Sequence, residues 1–387
     1  MKTTRELPIF VFNCQVILCA LISKYYQFCI TMIRSISVKN FMGYSSFKSS
    51  NFADLNVIIG KNDTGKTGLL KLLYATTKCL DIYSRRSQGA EINFKKLLAE
   101  KLTDTYQPGK RGLGELVSKI TKEKLSVDIE YKHNKLGYED RLHFSFGDST
   151  NNTIVDGQEA IKPISDNFRC LFIPAKEVLT SLKAIRATRD NLHMPGFDDT
   201  YLDLIRALVI PTQKGNITEE LKGVNRRLED LFEGQIEQQV EDDFVFKKGN
   251  TEFPMQLTAE GVKKIGILTT LIRNRQLNAH SVLFLDEPET ALHPEATREL
   301  VEMLILMAKS GIQIFIATHN YFVLKQLHLS ARRDSVETSC YSLEREKGKS
   351  VSVKWTDLKN SFPENPISDE SVKMADDETK LDLGINF

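Results

Sequence analysis

The stretch Gly60-Lys61-Asn62-Asp63-Thr64-Gly65-Lys66-Thr67 has the complete G-x-x-x-x-G-K-[ST] pattern of a phosphate-binding loop. An apolar run at 55–59 precedes this loop, and a leucine-rich helical pattern at 69–73 follows it. A strand, a glycine-rich loop and a helix in this order form the context in which the pattern binds phosphate. The alternative is a glycine turn that contains Gly-Lys-Thr by chance.

The residues of the phosphate loop 60–67 suit the different parts of a nucleotide. Two glycines, Gly60 and Gly65, let the backbone wrap round a polyphosphate so that its N–H groups point at phosphate oxygens. Lys66 would place a positive charge at the β- and γ-phosphates, and Thr67 would offer its hydroxyl to Mg²⁺. We therefore expect the loop, together with Gly68, to bind ATP.

A second chemical signal is an apolar strand, 282–285, that ends in the carboxylates of Asp286 and Glu287. At the carboxyl end of a buried parallel strand, these acids would face the ligand crevice. Asp286 would hold Mg²⁺ directly or through a water, and Glu287 would orient the attacking water beside the γ-phosphate. An ordinary strand-end turn is the alternative.

A third signal is a histidine at the end of another apolar strand. Residues 312–317 lead into Thr318-His319-Asn320. His319 could donate to the γ-phosphate and link it to Glu287. A histidine with a structural role is the alternative.

The segment Thr258-Ala259-Glu260-Gly261 is predicted to start a helix upstream of the acidic strand. Thr258 is a suitable N-cap, and Glu260 lies in the first turn. The start of the helix, including Thr258 and Gly261, would present N–H groups and a hydroxyl to a γ-phosphate bound by another subunit. A capped helix without such a role is the alternative.

Length and composition limit the class of protein. The 387 residues suffice for one large domain or two ordinary ones, and 41% hydrophobic with 27% charged residues are globular values. A net charge of +1 does not favour attraction of the whole surface to nucleic acid, although a local patch stays open. Six scattered cysteines without a C-x-x-C pair argue against a zinc site and favour a reducing cytoplasm.

The first 31 residues differ from the rest, because residues 8–23 are almost wholly apolar. Three interpretations stay open: a signal or anchor segment, an element packed on the domain, and an extension outside the working protein. The run is short for a membrane span. We favour the third interpretation, because Met32 opens a well-patterned strand at 33–38, and we expect no membrane partner.

The pattern along the chain predicts an α/β fold. Continuous apolar strands alternate with helical segments, as in a mostly parallel sheet covered on both faces. Period-two alternation at 125–131 and 141–146 predicts an antiparallel β subdomain. The expected units are an apolar extension (1–31), an ATPase N-lobe (32–174), a helical insertion (175–240), an ATPase C-lobe (241–360) and a flexible acidic tail (361–387).

In this order the motifs resemble those of the ABC-type ATPases of the SMC, RecF and OLD group. The similar segments are the strand 36–41, the phosphate loop, the signature-like 257–261, the acidic segment 285–294 and residues 317–320. The form Asp-Glu-Pro-Glu-x-x-Leu-His-Pro is most similar to the OLD-like branch, which is common in bacterial antiphage defence. The resemblance covers most of 33–355.

This resemblance implies a P-loop fold of the ABC or SMC-head type and a head-to-tail ATP sandwich. The phosphate loop of one copy would hold ATP, and the segment 257–261 of a second copy would close over it. Asp286 would be associated with Mg²⁺, Glu287 would be the catalytic carboxylate, and His319 the switch histidine. The resemblance thus implies a cytoplasmic Mg²⁺-dependent ATPase whose dimer closure regulates a separate nuclease or toxin.

The chain departs from the family pattern in several places. Glu260 replaces a small residue, which puts the contact with a second subunit in question unless this side chain points away. No glutamine occurs at 173–177, near which the family carries one. Long coiled-coil arms are missing, and the acids after residue 361 resemble solvated charge rather than a Toprim nuclease site.

Two other classes stay open. A DNA-binding repair ATPase of RecF type is suggested by eight basic residues against four acids at 95–124, although such a run is more often a solvated helix face. A transporter subunit fits less well, because of the Asp-Glu-Pro-Glu strand end and the missing glutamine.

Overall fold

A computed structural model describes most of the chain from Thr31 onwards. The described residues are 31–86, 93–121, 123–133, 139–158, 161, 164, 165, 167–192, 194–211, 217–239, 243–334 and 336–382. Residues 1–30, and with them the interpretations of the amino-terminal extension, lie outside this set. Among the described residues, no helix has the length and apolar character needed to cross a membrane.

The chain folds into strands and helices that alternate along most of its length. The strands are β1 (Thr31–Phe41), β2 (Tyr44–Ser49), β3 (Leu55–Gly60), β4 (Leu125–His133), β5 (Glu139–Phe146), β6 (Asp156–Gly157), β7 (Arg169–Ile173), β8 (Gln235–Gln238), β9 (Phe244–Lys248), β10 (Thr251–Pro254), β11 (Ser281–Asp286), β12 (Gln313–Thr318), β13 (Thr338–Glu344) and β14 (Ser352–Asp357). The α-helices are α1 (Lys66–Arg86), α2 (Phe94–Tyr106), α3 (Leu182–Arg186), α4 (Asp199–Leu208), α5 (Glu219–Leu231), α6 (Glu260–Arg273), α7 (Pro294–Lys309), α8 (Tyr321–Arg333) and α9 (Pro366–Asp382).

The core sheet has six strands in the order β14-β13-β3-β12-β11-β7. All neighbouring pairs are parallel except β13 with the edge strand β14. Every residue of β3, β11 and β12 is buried, which explains why continuous apolar runs predicted these strands. The prediction of a mixed, mostly parallel sheet is confirmed.

A second sheet is antiparallel, in the order β2-β1-β4-β5-β6, and contains the predicted hairpin of β4 and β5. A small third sheet, β10-β9-β8, precedes α6. The predicted antiparallel subdomain is therefore present beside the core sheet.

Two hydrophobic cores lie on the two faces of the core sheet. Along β3, Val57 and Ile59 pack with side chains of α4–α8, whereas Ile58 packs with α1, α2 and the antiparallel sheet. Burial on both faces holds β3 at the centre of the molecule. The loop that follows β3 therefore starts from a rigid position.

The structure differs from the sequence-based expectations in two elements. Residues 235–238, expected within a helical insertion, form β8, because Ile236 pairs with Phe246 of β9 and packs into the space left by Gly266. The segment 361–387, expected to be a flexible tail, contains the helix α9, none of whose residues is buried.

Candidate functional site

Three strand ends meet at one edge of the core sheet. β12 lies between β3 and β11, with Thr318 opposite Ile59 and Ala317 opposite Asp286. Because the three strands are parallel and in register, the segments that follow them lie side by side. This edge, called here the catalytic edge, brings together the phosphate loop 60–67, the acids at the end of β11 and the histidine after β12.

The phosphate loop depends on its two glycines. Gly60 has a φ of 156° and Gly65 a φ of 84°, in the region that favours glycine. A Cβ atom on Gly60 would lie 2.5 Å from the carbonyl oxygen of Leu343, and one on Gly65 would lie 3.0 Å from the ring of Tyr44. The hydroxyl of Tyr44 donates to the Thr64 carbonyl oxygen at 3.2 Å, and this hydrogen bond fastens the loop to β2.

Lys66 is buried inside its own loop. Its Nζ donates to the carbonyl oxygens of Gly60 at 2.8 Å and Lys61 at 2.9 Å. Burial lowers the pKa of Lys66, and nearby carboxylates, Glu287 first among them, oppose that effect. The ammonium is therefore directed into the loop, where a phosphate would supply further negative charge.

Thr67 and Asp286 form a pair of oxygen donors at the start of α1. The Thr67 hydroxyl lies 3.1 Å from each carboxylate oxygen of Asp286. Burial raises the pKa of Asp286, the bond from Thr67 lowers it, and the charge of Glu287 raises it further. Within the described part of the chain, no group of three or more His, Cys, Asp or Glu side chains could hold a metal alone. The pair fits Mg²⁺, which commonly takes one or two protein oxygens together with phosphate oxygens.

Glu287 has a strained backbone that its neighbours hold in place. Its φ of 45° is in the left-handed region, which costs a side-chain-bearing residue about 1 kcal/mol or more. Its N–H donates to the Ala317 carbonyl at 2.8 Å, and Lys264 Nζ donates to its carbonyl oxygen at 3.0 Å. Its carboxylate Oε1 lies 2.8 Å from His319 Nδ1. Because an ionised carboxylate only accepts, this ring nitrogen carries the hydrogen.

Two family descriptions match overlapping parts of the chain. The family described as "AAA ATPase domain" matches residues 32–195, which include the phosphate loop. The family described as "AAA domain, putative AbiEii toxin, Type IV TA system" matches residues 157–325, which include Asp286, Glu287 and His319. One description thus names an AAA domain and the other an AAA ATPase domain, and together the two matches span the catalytic edge.

Individual proteins and structures give the same result. The chain is 32% identical over 87 residues to the Old nuclease of Escherichia phage P2, a segment that covers 22% of this chain and 14% of the relative. An SMC head, solved with the C-winged helix domain of ScpA, has a TM-score of 0.50 at 12% identity, over 85% of this chain and 99% of the other. This chain is thus similar to the SMC/OLD-like ATPases.

The similarity to curated relatives is local. A further relative, an ATP/GTP phosphatase of Helicobacter pylori, is 44% identical over 43 residues, which cover 11% of this chain and 12% of the relative. The matched segments thus span less than a sixth of the length of either curated relative named here. The structural match shows the fold, which is that of an SMC head.

Two charged residues of this chain support the catalytic edge and were missed in the sequence. Glu289 is 5% exposed; its Oε1 accepts from the Thr318 hydroxyl at 2.5 Å, and its Oε2 has no hydrogen-bond partner. Burial raises the pKa of Glu289. Lys264, which holds the Glu287 carbonyl, is also buried, and burial lowers its pKa. A lysine on the apolar face of a helix and a third acid after β11 were the signals available.

The helix α6 begins differently from the prediction. Its N-cap is Ala259, and no side chain caps it. The predicted cap, Thr258, instead donates its hydroxyl to the Pro254 carbonyl at 3.0 Å, because a 3₁₀ turn brings that carbonyl within reach. Glu260 pairs with Lys263 at 2.8 Å, so its charge is partly neutralised within the helix.

Gly261 packs against the segment that follows Glu289 rather than against the phosphate loop of its own chain. A Cβ atom on Gly261 would lie 2.7 Å from Leu292 Cδ2 and 3.3 Å from the Ala291 carbonyl oxygen. His293, in the same segment, is the N-cap of α7 and accepts from the Glu295 N–H at 3.3 Å. The structure therefore gives this His-Pro pair a helix-starting position.

The remaining predicted residues lie around the phosphate loop. The side chains of 61–63 are exposed, and Arg345 Nη1 lies 3.5 Å from Asp63 Oδ2. The Gly68 carbonyl accepts from the Tyr106 hydroxyl at 2.7 Å, and a Cβ on Gly68 would lie 3.1 Å from Met42 Sδ. Gly68 is thus positioned by close packing at the first turn of α1.

Several basic residues of the stretch 95–124 are paired with acidic residues, so the stretch has fewer unpaired positive charges than its sequence suggests. Lys101 is buried and pairs with Asp199 and Asp203. Lys119 lies 3.4 Å from Glu115, which also pairs with Arg111. Lys122 lies outside the described residues. The stretch therefore contributes partly to the fold of this chain rather than to a continuous basic surface.

Proposed function

We propose that this ATPase binds ATP with Mg²⁺ at the phosphate loop and hydrolyses it between two copies of the chain. The proposal rests mainly on the two bonded pairs at the catalytic edge, Thr67 with Asp286 and His319 with Glu287. They combine a donor set for a metal with a carboxylate held by a histidine, beside a loop suited to phosphates.

Each group of the catalytic edge has a distinct part in the proposed reaction. Mg²⁺, held by Thr67, Asp286 and phosphate oxygens, would offset charge on the phosphates. Lys66 would exchange its loop carbonyls for β- and γ-phosphate oxygens. Glu287 would orient the attacking water, and the Nδ1–H of His319 would fix the direction of that carboxylate. The strained backbone of Glu287 fits a residue whose position matters more than its stability.

The start of α6 supports closure by a second copy. Without a side-chain cap, the first-turn N–H groups of α6 remain able to bind an anion. Leu257, immediately before Thr258, is 79% exposed, which fits a surface that another subunit covers. A nucleotide that contacts both copies would favour the closed dimer, and loss of the γ-phosphate would release it.

The variant Glu287→Gln tests this proposal. Gln keeps the shape of the side chain but removes the charge that orients water, so ATP hydrolysis should fall by roughly 10²–10⁴-fold. Addition of ATP should trap a dimer, measured by sedimentation or light scattering. Glu220→Gln, at an exposed position in α5, is the matched control and should hydrolyse ATP as the unchanged chain does. A Glu287→Gln chain that stays monomeric and hydrolyses normally would contradict the proposal.

We also propose that the closed dimer controls a nuclease or toxin in bacterial antiphage defence. Two of the similarities support this: one matched family is described as a "putative AbiEii toxin", and the Old nuclease is among the relatives. Expression together with the protein encoded beside this ATPase should arrest growth, and Lys66→Ala should change the extent of that arrest. If Lys66→Ala leaves the extent of growth arrest unchanged, the proposed regulatory role is refuted. Salt-dependent binding of plain duplex DNA by the chain alone would favour the RecF-like alternative.

A further inference from the structure

Helix α4 approaches the phosphate-loop helix α1 beside the candidate metal site. Lys71 Nζ lies 2.6 Å from Oδ2 of Asp198, the N-cap of α4. Lys71 is four residues after Thr67 and therefore lies one turn further along the same face of α1. Thr67 in turn bonds both carboxylate oxygens of Asp286. The Lys71 side chain thus begins one helical turn from the candidate metal-binding pair Thr67–Asp286, and its ammonium pairs with a second acid, Asp198.

The position of Asp198 is fixed by the rest of α4. The buried ammonium of Lys101 pairs with Asp199 at 2.7 Å and also with Asp203. The Tyr74 hydroxyl of α1 donates to Asp203 at 2.5 Å. These contacts fasten α4 to α1 and α2, so Asp198 cannot move far from Lys71 without breaking a buried ion-pair network.

The ion pair between Lys71 and Asp198 is partly exposed, so the Lys71 side chain has room to change its partner. The side chains of Lys71 and Asp198 are 20% and 14% exposed, whereas that of Lys101 is 4% exposed. A lysine on a flexible four-carbon stem can turn between neighbouring acids when their charges change.

We propose that Asp198 is a positioning residue for the metal: it holds Lys71 away from Asp286, so that this carboxylate stays available to Mg²⁺. An ammonium and Mg²⁺ compete for the same carboxylate and repel each other. Paired with Asp198, Lys71 contributes little net charge to the site. The helical insertion thereby sets the affinity for Mg²⁺, an inference that rests on the proposed Mg²⁺–ATP site.

The charge-removing variant Asp198→Asn tests this inference. Asn keeps the Oδ1 atom that accepts from the Thr200 N–H at 2.8 Å, so the start of α4 should be preserved. Released, Lys71 should pair with Asp286 and raise the half-saturating concentration of Mn²⁺ by about tenfold, the order of one uncompensated charge near a protein surface. The measurement is electron paramagnetic resonance of Mn²⁺ bound with a non-hydrolysable ATP analogue.

A double variant separates the charge of Lys71 from any structural damage. Lys71→Met keeps the apolar stem, and Asp198→Asn combined with Lys71→Met should return Mn²⁺ affinity to that of Lys71→Met alone. Glu219→Gln is the control, because Glu219 pairs with Lys222 at the same 2.6 Å in another helix of the insertion. It should leave Mn²⁺ affinity unchanged.

The possible results are distinguishable. An unchanged affinity in Asp198→Asn, or a double variant as weak as Asp198→Asn, overturns the inference while the proposed ATPase function stands. Failure of the unchanged chain to bind Mn²⁺ with the ATP analogue removes both. Weakened binding in Asp198→Asn that is rescued by Lys71→Met supports the inference, because only loss of the released ammonium accounts for the rescue.

Discussion

The phosphate loop and the start of α6 differ in how completely this chain defines them. Around the loop, Lys66 has two carbonyl partners, and Thr67 bonds to Asp286. At the start of α6, no side chain caps the helix, and Leu257 is 79% exposed. One half of the proposed site is built within the chain, and the other half is left open.

This difference bears on where binding and catalysis separate. A half-site with internal partners can bind a nucleotide alone, because its groups are already oriented. An open half-site gains partners only when a ligand and a second copy arrive. Changes at the loop should therefore affect nucleotide binding by a single chain, and changes at α6 should affect only the later, closed state.

Among the variants that compare the two halves, the largest effect is expected for Lys66→Ala. This change removes the charge-assisted hydrogen bonds to the phosphates, each worth about 1.5–3 kcal/mol, so ATP affinity should fall by roughly a hundredfold. Fluorescence titration with an ATP analogue at low protein concentration measures binding by the single chain.

The comparison variant for Lys66→Ala is Thr258→Val, which removes one hydroxyl from the open half. Its loss of the bond to the Pro254 carbonyl should cost little stability. It should bind the analogue as the unchanged chain does but close and hydrolyse less well. Equal loss of nucleotide affinity in both variants would show that the two halves are not separable.

A smaller effect is expected for Gly261→Ala. The added Cβ would meet the end of the Leu292 side chain at 2.7 Å, and this partly exposed side chain can move. The fold should therefore survive while the loop before α7 shifts. We expect the rate of hydrolysis to fall about tenfold, with nucleotide binding unchanged. This fall is equivalent to a loss of about 1.4 kcal/mol in the free energy of dimer closure. Hydrolysis at the normal rate would show that Gly261 has no part in the proposed closure.

The sequence predicted the half of the site around the phosphate loop better than the half at the start of α6. The phosphate loop, Asp286, Glu287 and His319 follow apolar strands, and parallel strands in register must bring such residues to one edge. Thr258 was wrong as an N-cap because its hydroxyl has a nearby competitor, the Pro254 carbonyl. That competition depends on a 3₁₀ turn, which hydrophobic periodicity does not reveal.

The fold was predictable where burial produces a pattern. The two larger sheets followed from apolar runs and alternation, whereas α9 has no buried residue and therefore no apolar stripe to reveal it. β8 has only one buried side chain, that of Ile236, among three polar residues. Elements that depend on few tertiary contacts give weak sequence signals.

The smallest effect compares two glutamates whose environments shift their pKa values in opposite directions. Burial raises the pKa of Glu289 above its usual 4.5. Around Glu302, burial also acts, but hydrogen bonds from Arg333, Ser330 and Gln326 outweigh it and lower the pKa below 4.5. The first glutamate is thus destabilised in its charged form, and the second is stabilised.

These shifts predict how Glu289→Gln and Glu302→Gln change thermal unfolding with pH. Glu289 stabilises the wild-type fold below pH 4.5, and this stabilisation is lost as the pH rises through the folded pKa of Glu289. The unfolding temperature of Glu289→Gln should therefore increase relative to that of wild type over the same rise in pH, by about 1–2 °C. Glu302 contributes stability above pH 4.5, which is lost as the pH falls through its lower folded pKa. Glu302→Gln should therefore lie below wild type by a constant amount from about pH 6 to 8, and the gap should close only in acid.

Opposite pH trends for these two variants would show that the catalytic edge holds an acid at the expense of stability, while Glu302 of α7 only stabilises the fold. The same trend in both would mean that Glu289 has a charge partner in solution, and the unpaired Oε2 would then lose its significance. If only Glu289 lowers the stability of the fold in its charged form, this residue is retained for its effect on Thr318 and the neighbouring His319. A residue selected for stability alone would be uncharged at this position.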